Sequence, residues 1–143
     1  MEKELLNTFD KELLLKDLCV RSPYDVKVLY SNEVFSVDYI SAIYEEIKLD
    51  NSDNYTINIT KVKPYLFPIS SITREQLFEV QEILGKNEIE IKDSFLHIVD
   101  SNRNTISYLE ILALLDWFYK NHFDINGLIP MGLAIDATNL NIY

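Results

Sequence analysis

Glycine, cysteine and histidine are scarce in this chain: three, one and two residues of 143. Each shortage excludes something. The glycines, at positions 85, 127 and 132, stand too far apart to form a loop that cradles phosphate on successive backbone N–H groups. Cys19 has no internal disulfide partner, which fits a reducing compartment. It lies on the apolar face of a helical pattern, where a free thiol serves as a small hydrophobe rather than a nucleophile. His97 and His122 give no i, i+3 or i, i+4 ligand pair, and His122 with Asp124 is the nearest approach to a metal set. A histidine closing a helix also suits the negative end of the helix dipole. No metal or cofactor is expected.

Positive charge is scarce too. There are 13 basic and 23 acidic side chains, net −10. Residues 1–72 carry 8 and 12 of them, and residues 73–143 carry 5 and 11, so the excess is spread along the chain. Nucleic-acid binding by counterion release needs a basic face, and the sequence offers none. No apolar run reaches the length that spans a bilayer, so no membrane partner is expected. The opening "MEKELLNTFDKELLLKDL" is charged every few residues, unlike a secretory signal, and places the chain in the cytoplasm.

What is present suits one soluble domain. Apolar residues make up 48% of the chain, enough for a core, and charged residues 25%. The pattern predicts a helix over 10–22, capped by Asp10, with Leu13, Leu14, Leu18, Cys19 and Val20 as its apolar stripe and Pro23 as its stop. Residues 1–9 add a loose turn. A β-meander of about three strands is expected over 25–60, with turns at Ser31–Glu33 and Asp50–Asn54. Residues 41–49 are assigned to strand rather than to a helical turn. A proline corner follows at 64–72, because Pro64 and Pro68 should stop a helix or a central strand.

Residues 73–143 read as helices with a short strand and a closing turn and strand. Thr73 with Gln76 forms a capping box, Ile72 and Leu77 a staple, and Gly85 the stop. A strand is expected at Ser94–Val99 and a turn at Asp100–Asn104. The segment from Tyr108 to Tyr119 is apolar on nearly every side, which predicts a buried central helix at Leu109–Phe118, with Ser107 and Glu110 as a second capping box. Asn126-Gly127 and Gly132 mark turns before a last strand in Leu133–Ala137. The expected fold is a single α+β domain over 1–143. In it a small antiparallel sheet of three to five strands packs against two or three helices.

Four segments carry a resemblance: "KELLLKDLCVRSPYDVKV", "KPYLFPISSIT", "LDWFYKNHFDINGLI" and "GLAIDA". In their order and spacing the chain resembles a group of small proteins encoded by phages and mobile elements of gut bacteria. The resemblance implies a compact α+β domain in a phage or prophage setting, in the host bacterial cell, and supplies no catalytic residues. The chain departs from the group's pattern at Phe67, where a basic residue is usual, and at Ile72, where Met is usual.

Two stretches are candidate partner contacts. Tyr65, Leu66 and Phe67 stand between two prolines, and aromatics are favoured anchors. The competing reading makes them plugs in the seam between sheet and helix. Trp117, Tyr119 and Phe123 are the second set, with core packing as the competing reading. Asp116, Asp124 and Asp136, or Glu45 and Glu46, are carboxylate groupings of the kind chance produces in an acidic chain. The expectation is a non-enzymatic phage accessory protein that acts by protein–protein interaction in the host cytoplasm, with a host or phage protein as partner and inhibition of a host or defence protein as its effect. Self-association of the chain is a further option. The alternatives are a minor virion or assembly component and, third, an enzyme with a dispersed active site.

Overall fold

A computed structural model describes residues 6–50, 55–85, 88–92, 95–100 and 107–143, with the backbone path alone for 88–92 and 95–100. Of the expected features, the first five residues, most of the 50–54 loop and the turn after Asp100 lie outside the described residues. The chain is α+β, and its described residues form three α-helices, a six-stranded mixed sheet and a separate hairpin. Its contacts divide into two compact units: Met1–Leu66 with Asn126–Tyr143, and Phe67–Ile125.

The first unit holds helix α1 (Thr8–Arg21) and six strands. These are β1 (Lys27–Tyr30), β2 (Glu33–Ser41), β3 (Glu46–Leu49), β4 (Ile57–Asn58), β5 (Lys63–Leu66) and β8 (Ile135–Asp136). Their order across the sheet is β4-β3-β2-β1-β5-β8. β1 to β4 form a meander of four strands where about three were expected, because the stretch assigned to strand over 41–49 turns at 42–45 between β2 and β3. Ser31 and Asn32, both at positive φ (50° and 64°), make the two-residue turn joining β1 to β2, whose backbone matches the strand twist.

The sheet exceeds expectation in two ways, with six strands rather than three to five and one parallel pair, β5 with β8. β5 runs through Pro64, so the corner expected over 64–72 starts later. Strand alternation explains how a central strand accepts the proline, and the Tyr143 hydroxyl closes the neighbouring step between β1 and β5. It accepts from the Lys27 N–H (2.9 Å) and donates to the Tyr65 carbonyl (2.8 Å), bridging β1 and β5 just beyond the Val28–Pro64 pair. Lys27 and Tyr65 therefore turn their polar groups toward each other. By alternation Pro64 turns its nitrogen to the other edge, where pairing with β8 begins only at Tyr65. The proline therefore takes no donor from the pairing of β5 with β1.

α1 starts one turn earlier than the sequence suggested. Asn7, not Asp10, is the cap, its side-chain oxygen accepting the Asp10 N–H at 2.8 Å. Its buried face is Leu14, Asp17, Leu18 and Arg21, while Cys19 is half-buried and Val20 exposed. Leu14 and Leu18 pack with Val26, Val28, Ile47 and Leu66 in the unit's core, each worth about 1.5–3 kcal/mol in buried area.

The second unit holds α2 (Arg74–Ile83), a hairpin of β6 (Glu88–Lys92) with β7 (Phe95–Asp100), and α3 (Tyr108–Lys120). β6 was unassigned in the sequence reading; β7 is the strand expected near Ser94–Val99. The Thr73–Gln76 capping box is fully formed, with bonds of 3.2 and 2.9 Å. Gly85 takes positive φ (68°) as the helix stop. Pro68 and the 3₁₀ turn Ile69–Ser71 lead into Thr73. The unit's core is Val80, Leu84, Trp117, Phe118 and Phe123. α3 is not the buried central helix its composition predicts. Only Trp117 and Phe118 are buried along it. Among the described residues no helix is long and apolar enough to cross a membrane.

Candidate interaction surfaces

α3 is built for its position by its ends. The Ser107 hydroxyl accepts the Glu110 N–H (3.2 Å) and donates to the Glu110 carboxylate (3.0 Å), so the second capping box forms with the hydroxyl in place of the backbone donor. Asn121 closes the helix, its side-chain amide donating to the Trp117 carbonyl at 2.9 Å. His122, at φ 64°, turns the chain in the left-handed region, and the Phe123 N–H reaches back to the Phe118 carbonyl at 3.0 Å.

That reversal folds three of the expected contact residues into a core. Trp117 stacks on Phe123 with ring centroids 5.6 Å apart and planes 15° apart. Phe118 meets Phe123 edge-on at 6.0 Å, and Phe67 meets it tilted at 6.2 Å. The Phe67 backbone donates to the His122 carbonyl and accepts the Asp124 N–H, both at 2.8 Å. The Trp117 indole donates to the Glu79 carboxylate at 2.8 Å. Tyr65 and Leu66 are buried in the first unit. Trp117 and Phe123 are buried in the second, and Phe67 and Tyr119 are half-buried. As placed, these six offer little free surface, because packing that orders an aromatic also covers it.

The exposed apolar surface lies elsewhere on α3. Tyr108 and Leu109 are 74% and 76% exposed, and Ile111, Leu112 and Leu115 are exposed as well. At about 100° per residue, Leu114, Trp117 and Phe118 occupy one arc of the helix. Ile111, Leu115, Tyr108, Tyr119 and Leu112 occupy the next arc, also about 100° wide. The first arc faces the unit's core; the second faces outward. Monomers seldom leave so contiguous an apolar stripe uncovered. Composition alone showed that α3 is apolar all round, and only burial distinguishes its two arcs. In the first unit, the turn between β2 and β3 presents Ile43 (88% exposed) and Tyr44.

Burial pushes the Cys19 thiol pKa up, away from the reactive thiolate. His97 lies on β7, with its side chain outside the description. Asp124 is buried in the second unit, whereas Asp136 is exposed in the first and accepts from the Thr138 N–H and hydroxyl. Glu45 pairs with Lys11, and Glu46 accepts the Thr56 hydroxyl at 2.6 Å. No group of three or more metal-ligating side chains occurs among the described residues. A cavity of about 10 Å³ lined by Tyr30, Leu49, Tyr55 and Ile57 has room for at most one water.

Sequence reasoning missed a buried cluster. The Asp17 carboxylate accepts two N–H groups from Arg21 (2.7 and 3.1 Å) and one from Asn126 (2.8 Å), with both charged side chains fully buried. The i, i+4 spacing of opposite charges on the Leu14–Leu18 face was its only signal. Compared with protein-family models, curated proteins and solved structures, the chain finds no match.

Proposed function

We propose that the protein is a non-enzymatic interaction protein of phage or prophage origin, binding a host or phage protein in the bacterial cytoplasm. The observation that carries this reading is the outward apolar arc of α3. Ile111, Leu112 and Leu115 are held on a helix capped at both ends, so the surface is preformed and costs little ordering to bind. The phage setting rests on the resemblance of the four segments. The contact thus moves from Tyr65–Phe67 and Trp117–Phe123 to the neighbouring arc of the same helix, with Tyr119 at its edge.

The test is capture from the bacterial host's lysate by tagged wild type and by a Leu112→Gln, Leu115→Gln variant. One protein retained by wild type and lost by the folded variant is the expected result. Equal retention by both, or none by either, overturns the reading.

A further inference from the structure

We propose that Asn126-Gly127 is a self-modification site, whose loss of ammonia turns the clasp on the Asp17–Arg21 pair into a charge that opposes it. Of the chain's asparagines Asn126 alone precedes glycine. A glycine nitrogen has no side chain beside it to block its attack on the preceding side-chain amide. Nothing lies within 4 Å of where a Gly127 Cβ would stand, and its φ of 74° favours glycine there. The chemistry needs only water. The Gly127 backbone nitrogen bonds to the Asn126 side-chain carbon and gives up its proton. The bond from that carbon to Nδ2 breaks, and Nδ2 leaves with the proton as ammonia. A cyclic imide remains, and water opens it to aspartate or isoaspartate. One amide has become one carboxylate.

The fold holds this step back. Nδ2, the nitrogen that must leave, donates to the Asp17 carboxylate at 2.8 Å. That carboxylate is fully buried and accepts two further bonds from Arg21. A nitrogen donating to an anion is a poor leaving group, and the bond ties the side chain down. Local opening of the cluster releases it. After conversion the cluster cannot close as before. A carboxylate at 126 has no N–H to give, and it replaces a donor that stood 2.8 Å from a buried carboxylate. One guanidinium then faces two carboxylates, and the uncompensated charge resists burial. The first unit thus carries a one-way timer, advanced each time the cluster opens.

The test follows the full chain at mildly alkaline pH, folded and in urea, with conversion at each asparagine read by mass spectrometry of peptides cut at low pH. In urea Asn126 should convert faster than every other asparagine. In the folded chain it should convert about tenfold or more slowly than in urea, because only opened molecules react. The Asp17→Leu, Arg21→Met variant removes the acceptor and should raise the folded rate at Asn126 alone. Asn126→Asp should melt below Asn126→Ala, since alanine removes the donor without adding a charge.

Conversion in urea no faster at Asn126 than at other asparagines overturns the site. Equal rates in the folded chain and in urea overturn its protection by the fold, and a variant rate no higher than wild type's overturns the part given to Asp17. A rise at every asparagine of the variant reports unfolding instead, and the two melts then decide. An Asn126→Asp chain that melts no lower than Asn126→Ala overturns the timer, since the added carboxylate is then tolerated.

Discussion

Removing the Asp17 carboxylate should be among the most damaging single changes in the first unit. Asp17 and Arg21 are fully buried, four residues apart on the core face of α1, and joined by two hydrogen bonds. Asn126 adds a third from the C-terminal segment. Asp17→Ala strands the guanidinium without its carboxylate in the interior. Breaking a buried pair from one side costs about 3–5 kcal/mol, and the typical stability of a protein is about 5–15 kcal/mol. Asn126→Ala leaves the pair intact and should cost about 1.5–3 kcal/mol, the worth of one bond to a charged group. Replacing both charges, as Asp17→Leu with Arg21→Met, should recover much of the loss, because no charge is then left buried. The assay is urea unfolding followed by circular dichroism. A loss below about 1 kcal/mol for Asp17→Ala would refute the reasoning, since it would mean that water reaches the guanidinium. A double variant no better than Asp17→Ala would show that the pair itself, not the stranded charge, carries the stability.

Three further expectations follow from burial and geometry. Tyr143 is 44% exposed overall, but its hydroxyl lies between the β1 and β5 backbones, and burial pushes its pKa up to about 12 from an ordinary value of 10. A raised folded pKa favours the native state in full below about pH 10, and that contribution fades toward about pH 12; Tyr143→Phe should flatten the stability profile in that window, and an unchanged profile refutes the bridge. Leu66→Ala, at a fully buried site, should cost about 2–5 kcal/mol, whereas the exposed Leu115→Gln should stay within about 0.5 kcal/mol, so comparable losses in thermal melts contradict the burial assigned to them. Thr73→Ala should cost about 1 kcal/mol by removing the α2 cap, and a melt unchanged by it counts against the capping box.

Local chemistry was legible in the sequence wherever a few neighbouring residues decide the outcome. Thr73 and Gln76 announced the start of α2, Gly85 its end, and the alternation over 25–60 the meander, because caps, turns and period-two patterns act within a few residues. The α+β class follows from the same signals. Long-range partners were not legible. Pro64 looked like a strand breaker because nothing nearby reveals that its nitrogen faces the edge where pairing with β8 begins only at Tyr65. Asp17 and Arg21 were missed because Asn126 and the covering core arrive from distant segments.

The candidate surface shows the same division. Composition marked α3 as apolar on almost every side and marked Phe67, Trp117 and Phe123 as notable aromatics. Whether such a residue is core or contact depends on what packs over it. The reversal at His122 brings Phe123 onto Trp117 and Phe67, so Trp117 and Phe123 went inside, Phe67 packs half-buried against them, and Ile111, Leu112 and Leu115 stayed out. By itself the sequence determined the class of fold, the helix caps and turns, and the acidic charge, since each depends on near neighbours or on simple sums. Only the tertiary structure decided which apolar arc of α3 faces outward and which charges are buried, because burial belongs to segments far apart in the chain.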